Sequence, residues 1–397
     1  MQTKAKLPSY RWAILSASFF AFVAFAFAFQ LAPPLFPLII SEFNISNAEA
    51  GFLMSVVRIP GIFLSLPAGL LVVKYGIRRI GFASLLSVVL GCFLTAIATS
   101  FLMMLIGRFI IGLGGGFTIP VAAATIAQWF SSGEMGKAMG IYGINGPVAL
   151  VIAFPSASFL MSIYGWRFPF FIGAIIGIFA IATFTMVVRE TPEVESKQKL
   201  KVRPALKNFE VWKVGLVWLF YSAAILSFTT WASTLFVAFK GMTLVNASLL
   251  ASIIMWIAIV CNPFYGWLSD RISRRKLLLL SGSFLMTLSF IALAFTSNLM
   301  LMVFVIILGL TSASVYPAMS ALPAEILGPS LASIGFGITG LCNNIGVAFS
   351  QPLIGFILDL TGSYAFCLLG MAALSTIGTF FAYTLIGVKK NMRMEVS

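Results

Sequence analysis

The sequence predicts an all-α membrane protein, with twelve transmembrane helices arranged as two pseudo-symmetric six-helix bundles. Three observations predict it. Of the 397 residues, 60% are hydrophobic and 9% are charged, against a charged share of about a quarter in soluble domains. Twelve apolar runs are long enough to cross about 30 Å of hydrocarbon. The chain also repeats itself: a gapless shift of 197 residues superimposes Gly69 on Gly266, Gly112 on Gly309, Pro120 on Pro317, Gly140 on Gly337, Gly143 on Gly340, Pro155 on Pro352, Gly165 on Gly362 and Gly173 on Gly370. Chance would supply about one or two such coincidences at ordinary Gly and Pro frequencies. Glycine and proline record kinks and close helix approaches, so the shared register means two copies of one backbone design.

The runs lie at 12–40, 49–73, 80–99, 102–129, 138–162, 167–188, 211–239, 247–268, 277–296, 299–322, 333–357 and 364–387, six per repeat. The first is too long for a signal-peptide core, and Pro33, Pro34 and Pro37 stand where a cleavage site would be wanted, so it is read as a retained helix. Spans two, four and five carry internal prolines (Pro60, Pro67, Pro120, Pro147, Pro155), as do spans eight, ten and eleven (Pro263, Pro317, Pro352), and these mark bendable helices. The long polar stretch 189–207, with six basic and three acidic residues, follows span six. The chain therefore divides into an N-terminal bundle at 1–188, a cytoplasmic linker at 189–210 and a C-terminal bundle at 211–397.

A formal charge of +14 suggests nucleic acid only until the charges are placed. With the N-terminus inside, Lys4, Lys6, Arg11, Lys74, Arg78, Arg79, Lys137, the 189–213 segment, 271–276 and 389–393 share one side, and only Arg167 and Lys240 fall on the other. That is the positive-inside pattern, which expects a multi-pass protein of the cell membrane with both termini cytoplasmic. The basic balance reports topology, with the lipid bilayer and its anionic headgroups as partner and no nucleic acid. Short loops favour a prokaryotic cytoplasmic membrane, and the chain is expected to work as a monomer. Cys92, Cys261, Cys342 and Cys367 all lie within spans as small packing residues, and no metal-ligand spacing occurs. No G-x-x-x-x-G-K-[ST] loop is present, which argues against an ATP-driven pump; no cofactor is implied.

After span two stands Gly69-Leu-Leu-Val-Val-Lys74-Tyr-Gly76-Ile-Arg78-Arg79, and at its repeat partner stands Gly266-Trp-Leu-Ser-Asp270-Arg271-Ile-Ser-Arg274-Arg275-Lys276. These resemble the G-x-x-x-D-[RK]-x-G-x-[RK]-[RK] signature of the major facilitator superfamily, and the resemblance covers the whole chain. It implies two six-helix halves and a secondary transporter built on duplicated repeats. It also implies a conformational latch in which the loop turns at its glycine and the Asp and basic residues bond across neighbouring helix ends. The residues concerned are Gly69, Lys74, Gly76 and Arg78, with Gly266, Asp270, Arg271 and Arg275 in the second copy. The first copy has Val73 where the signature has Asp. Arg108-Phe-Ile-Ile-Gly112 in span four resembles the family's R-x-x-x-G element. Gly143-Ile-Asn-Gly146-Pro147 resembles the glycine-proline motif of its antiporters, without the glycine expected after the proline.

Residues shared by the repeats describe the scaffold, so polar residues that break the repeat are the candidates for function. Arg58 aligns with Met255, Arg108 with Val305, Asn145 with Cys342, Asn262 with Ser65, Gln30 with Ser227, Gln351 with Phe154, and Asn343 and Asn344 with Gly146 and Pro147. Every Arg, Asn or Gln well inside a span lies in spans one, two, four, five, eight or eleven, and spans three, six, nine and twelve have none. The family resemblance implies that those four face lipid while the other eight line a central cavity.

Arg58 lies nine residues inside Glu49, roughly 14 Å at 1.5 Å per residue, near mid-membrane. A central Arg costs about 2.5–3.5 kcal/mol even on the lenient scale. Ser55, Gly61 and Ser65 share its face, which suits a wet cleft, and a guanidinium suits a carboxylate or oxyanion. The competing reading is a structural Arg bonded to carbonyls at the Pro60 kink. Arg108 is weighted the other way, toward organising helices, with a second anion ligand as the alternative. Asn145 with Tyr142, Asn344 with Ala348 and Gln351, Gln30, Asn262, Trp256, Trp231 and Tyr316 are candidates to complete a substrate site. Their competing role is interhelical hydrogen bonding or packing.

All eleven acidic residues fall at span ends, loops or tails, and there is no histidine. No intramembrane carboxylate or imidazole is available to carry a proton, and no carboxylate cluster to hold sodium. A cavity with Arg and no counter-charge prefers anions. The expectation is a uniporter or exchanger of a small organic or inorganic anion, a carboxylate first, with symport of a proton carried on the substrate as a variant. An Arg on span two resembles the nitrate and nitrite porter branch, but those porters add a second Arg on span eight, where this chain has Met255, Trp256 and Asn262. The rivals are an efflux carrier for hydrophobic compounds, favoured by 39 Phe and 17 Met, a membrane-embedded enzyme, disfavoured by the missing acid-base groups, and a receptor on a transporter scaffold.

Overall fold

The computed structural model describes residues 10–65, 67–130, 134–189, 202–272, 275–296, 299–328 and 331–385. Lys4, Lys6, most of the 189–210 linker, Arg274 and the 389–393 basic run lie outside them, as does the side chain of Asp270.

Each apolar run has a helical counterpart. Span one is Tyr10–Gln30 continuing through a 3-10 turn at Pro33–Leu35 into Phe36–Phe43; spans three, four and six are Ile77–Ala96, Phe101–Trp129 and Phe168–Val187. Spans seven to twelve are Phe209–Lys240, Leu244–Ile272, Arg275–Phe295, Leu299–Leu327, Ala332–Thr361 and Tyr364–Thr384. Among the described residues eleven helical stretches are long and apolar enough to cross a membrane. Span two is not among them; its described helices are Asn47–Leu64, which carries Glu49 and Arg58, and Pro67–Tyr75. Span five is split into Met135–Tyr142 and Asn145–Tyr164. The split at Gly143 follows from Pro147, which has no N–H to return to the Gly143 carbonyl.

The ends follow local rules. Ser46 and Glu49 form a reciprocal capping box at the start of span two. Gly165 and Gly362, equivalent in the repeat, end spans five and eleven at φ +84° and +60°, a region where only glycine sits without strain.

Within the N-terminal half span three packs on four and six, and span one on four, five and six; in the C-terminal half span nine packs on ten and twelve, and span seven on eight, eleven and twelve. The halves meet where span two lies along span eleven, where span five crosses span eight, and where the 3-10 turn of span one touches span seven. The approach of spans two and eleven is close enough that a Cβ on Gly51 would stand 2.4 Å from the Gln351 carbonyl oxygen, which demands glycine.

Two ends can be distinguished. At the end holding Tyr10 and Thr384, Arg11 pairs bidentately with Glu134 at 2.6 and 2.8 Å, and Arg275 pairs with Glu325 at 3.2 Å, each within its own half. At the far end Arg167 pairs with Glu42 at 2.6 Å, and the Trp166 indole N–H donates to the same carboxylate. Also at the far end, Asp359 bridges the halves. It accepts from the Asn47 and Ala48 backbone N–H groups at 3.0 and 2.9 Å and from Asn47 Nδ2 at 2.7 Å. A carboxylate of span eleven thereby caps the N-terminus of span two, where orphan donors and the helix dipole favour negative charge.

Candidate functional site

Between the halves lies a cavity of about 390 Å³. Its wall is made by residues of spans one, two, four, five, seven, eight, ten and eleven, and none of spans three, six, nine or twelve. This is the division that the family resemblance implied; the polar residues alone had pointed to six of these eight spans, without seven and ten. Helices that carry polar groups turn them inward, because lipid offers such groups no partner.

Seven residues singled out from sequence stand on this wall: Gln30, Arg58, Asn145, Asn262, Tyr316, Asn343 and Asn344. Among the described residues Arg58 is the only charged one on the wall, with no Asp, Glu or Lys beside it. Its guanidinium carbon lies 4.3 Å from the centroid of the Phe29 ring, a cation–π contact. Its Nε is buried without a hydrogen-bond partner, and among the described residues no carboxylate pairs with it. The competing reading of carbonyl bonds at the Pro60 kink is therefore not what the geometry displays. Gly61 and Ser65 line the cavity below Arg58, while Ser55, one turn above, donates to the Ala348 carbonyl of span eleven at 2.5 Å. Asn344 Nδ2 reaches Ser65 Oγ at 3.3 Å across the halves.

Arg108 has the opposite environment. It is fully buried and off the wall, with Nε donating to the Leu53 carbonyl at 3.3 Å, Nη1 to Ala28 at 3.0 Å, and Nη2 to Phe29 at 2.9 Å and to Met54 Sδ at 3.1 Å. The acceptors in span one sit just before its break. Pro33 has no N–H for the Phe29 carbonyl, and Arg108 supplies one instead.

Four further candidates, Trp256, Tyr142, Gln351 and Trp231, are not on the wall. Trp256 is 55% exposed on the outer face of span eight, whereas its neighbour Met255 lines the cavity. Ile254, Met255, Ala258 and Asn262 define the inward face of span eight, and at about 100° per residue Trp256 lies on the side turned away from them. Tyr142 is buried behind the wall, edge-on to Phe22 at 5.9 Å. Gln351 is fully buried where spans two and eleven touch, and Trp231, packed on Phe36 at 5.2 Å, donates to its carbonyl at 3.3 Å.

The structure adds wall residues that sequence reasoning missed. Trp218, Tyr221, Ser222 and Ile225 of span seven recur at helical spacing, and Ser312 of span ten joins them. Tyr221 Oη donates to the Ser312 carbonyl at 3.0 Å, and the Trp218 ring meets Tyr316 edge-on at 5.4 Å. The spacing in span seven was a usable signal, but Trp and Tyr in a membrane helix are ambiguous without knowing which face is inward.

The loop residues divide. Gly76 turns the chain at φ +87° before span three. Arg78 donates to the Thr185 carbonyl of span six at 2.9 Å, Lys276 to the Leu385 carbonyl after span twelve, and Arg275 pairs with Glu325 of span ten. Lys74 and Arg271 lie instead over aromatic rings of their own helices, Tyr75 at 5.0 Å and Trp267 at 5.2 Å. Gly69 has open space around it, and Gly266 is in ordinary contact with Pro317.

Known proteins share this design. The pattern of the Major Facilitator Superfamily matches residues 18–254 and 240–393. A probable nitrate transporter, NarT, of Staphylococcus epidermidis is 24% identical over 365 residues, covering 89% of this chain and 92% of its own. A probable sulfoacetate transporter, SauU, of Cupriavidus necator is 23% identical over 387 residues, covering 86% and 87%, and multidrug resistance protein 2 of Bacillus subtilis is 23% identical over 379 residues, covering 92% of each. In fold, the chain matches the crystal structure of a bacterial homologue of the human lysosomal transporter Spinster with a TM-score of 0.78 at 18% identity, over 98% of this chain and 99% of that one. A duplicated twelve-span chain with a cavity between its halves and this family's pattern along nearly its whole length belongs to the Major Facilitator Superfamily of membrane transporters.

Proposed function

We propose that this transporter moves a small anion, foremost an organic carboxylate, across the cell membrane by alternating access, as a uniporter or anion exchanger. The observation that carries the reading is Arg58: one guanidinium on the wall of a central cavity, with no carboxylate opposite it. An unpaired cation in a low-dielectric site is stabilised when an anion enters and resists enclosure when none has. Substrate thus neutralises the site and permits the halves, 1–188 and 211–397 joined by the 189–210 linker, to rock around it. The names of the nitrate and sulfoacetate relatives agree with an anionic substrate.

With both termini cytoplasmic, the Asp359 bridge closes the outer end, and the cavity belongs to an inward-facing state of a monomeric unit. The basic residues after spans two and eight act as the latch, with Arg78, Arg275 and Lys276 holding helix ends together. The wall offers no carboxylate or imidazole to carry a coupling proton.

The test is thermal stabilisation of the purified protein by a panel of inorganic and organic anions, for wild type beside Arg58→Ala. Stabilisation that disappears in the variant supports the reading. Stabilisation that survives overturns it and favours efflux of hydrophobic compounds, the second reading, which rests on the aromatic side chains of the wall and the multidrug relative.

A further inference from the structure

We infer that the cavity is shaped for an organic monoanion with a ring-sized apolar body and a hydroxyl or amide remote from its charge, the charge on Arg58 and the remote group on the C-terminal half. This rests on the reading that Arg58 holds an anion, and it names the body which that anion carries.

Charge sets the valence. With one cation on the wall and no other, a second negative group would be buried without a partner. The wall sets the body. Phe22, Phe25 and Phe29 of span one face Trp218, Tyr221 and Tyr316 of the other half across the space. A cavity of about 390 Å³ is within the range that encloses organic ligands, about 300–1,000 Å³. A three-oxygen inorganic ion would leave those rings against water, whereas an aromatic body stacks on them.

Unpaired polar atoms set the second group. Six buried side-chain atoms of wall residues lack a hydrogen-bond partner, and they divide evenly between the halves. On the N-terminal half they are Gln30 Oε1, Arg58 Nε and Asn145 Nδ2, with Gln30 and Asn145 only 8% and 5% exposed. On the C-terminal half they are Trp218 Nε1, Asn262 Oδ1 and Asn343 Oδ1. Buried polar groups in native proteins are mostly satisfied, and on a cavity wall a ligand can supply the partner that the protein does not. In the first group Arg58 Nε and Asn145 Nδ2 are donors that suit a carboxylate, whereas Gln30 Oε1 is an acceptor and takes no part in holding one. The second pairs an obligate donor, the indole N–H, with neutral amides, and suits a group that both accepts and donates, as a hydroxyl does. A ligand with both features touches both halves, so it alone rewards their closure.

The experiment measures binding to the purified full chain of 4-hydroxyphenylacetate, phenylacetate, its neutral analogue 4-hydroxyphenylacetamide, the dianion phthalate, and nitrate. The expected order places 4-hydroxyphenylacetate first, phenylacetate about tenfold weaker, and phthalate, nitrate and the neutral amide about a hundredfold weaker or absent. Trp218→Phe, which keeps a ring and removes the N–H, reduces the advantage of the hydroxylated acid to about twofold. Arg58→Gln abolishes binding of both acids. If nitrate or phthalate binds tightest, or no aromatic acid binds to cooperatively folded protein, the inference is overturned while Arg58 as an anion ligand stands on the nitrate or phthalate response. If the neutral amide binds as well as the acid and Arg58→Gln changes nothing, the anion reading itself is overturned, and the inference with it.

Discussion

The guanidinium of Arg58 rests on the ring of Phe29, 4.3 Å from its centroid, and the backbone carbonyl of that same residue accepts a 2.9 Å hydrogen bond from Arg108. One residue of span one therefore touches both intramembrane arginines, holding the wall cation by its ring and the structural cation by its main chain. A cation–π contact in a desolvated site is worth about 0.5–2 kcal/mol. Phe29→Leu leaves the guanidinium less well oriented and is expected to weaken anion binding by about threefold to thirtyfold, read as the dissociation constant by calorimetry.

The two arginines should separate in stability. Arg108→Gln strips hydrogen bonds from three buried carbonyls and is expected to cost on the order of 3–5 kcal/mol, seen as a large fall in thermal midpoint. Arg58→Gln orphans no acceptor and removes an unpaired cation, so without ligand its midpoint stays level or rises. Equal destabilisation by both would assign them the same structural role.

Asp359 holds the far end shut through the cap it places on span two. A cap of this kind contributes about 0.5–2 kcal/mol. Asp359→Ala is therefore expected to raise the population open at that end by about twofold to thirtyfold. Spin labels at the exposed positions Phe159 and Leu249, close to the Ser158–Ser248 contact between spans five and eight, should report a growing long-distance component.

Trp256 supplies a control within one turn of the wall. Its ring points outward, so Trp256→Leu should leave anion affinity within about twofold of wild type, beside the losses expected at Arg58. A larger effect, measured in the same binding assay, would put its ring in contact with substrate.

The wall carries no carboxylate and no imidazole. For an anion that stays ionised, binding should be flat between about pH 5.5 and 8.5, because arginine and tyrosine titrate well above that window. A sigmoidal dependence in that range would reveal a proton-linked group elsewhere in the cycle.

Much of this was legible in the chain, for physical reasons that also set the limit. Apolar run length reports a span, because the bilayer core has a fixed thickness, and all twelve runs became helices. The break at Gly143 was less legible, since a proline permits a kink without saying whether the helix resumes. Seven of the chosen polar residues reached the wall because lipid penalises them elsewhere. Trp256 and Tyr142 did not, because aromatic rings are tolerated on every face of a membrane helix, and the same ambiguity hid Trp218.

By itself the sequence determined the duplicated scaffold, the absence of interior polar residues from spans three, six, nine and twelve, and an interior that has arginine and no counter-charge. Each follows from counting residues against the cost of placing them in hydrocarbon. Only the tertiary structure decided which arginine is satisfied and which is free, because that depends on whether opened carbonyls on a neighbouring helix come within reach. Arg108 meets those of span one, whereas Arg58 meets a phenyl ring. The closed end was likewise a tertiary outcome, since the carboxylate of Asp359 and the helix start at Asn47 are 312 residues apart and become partners only when span eleven lies along span two.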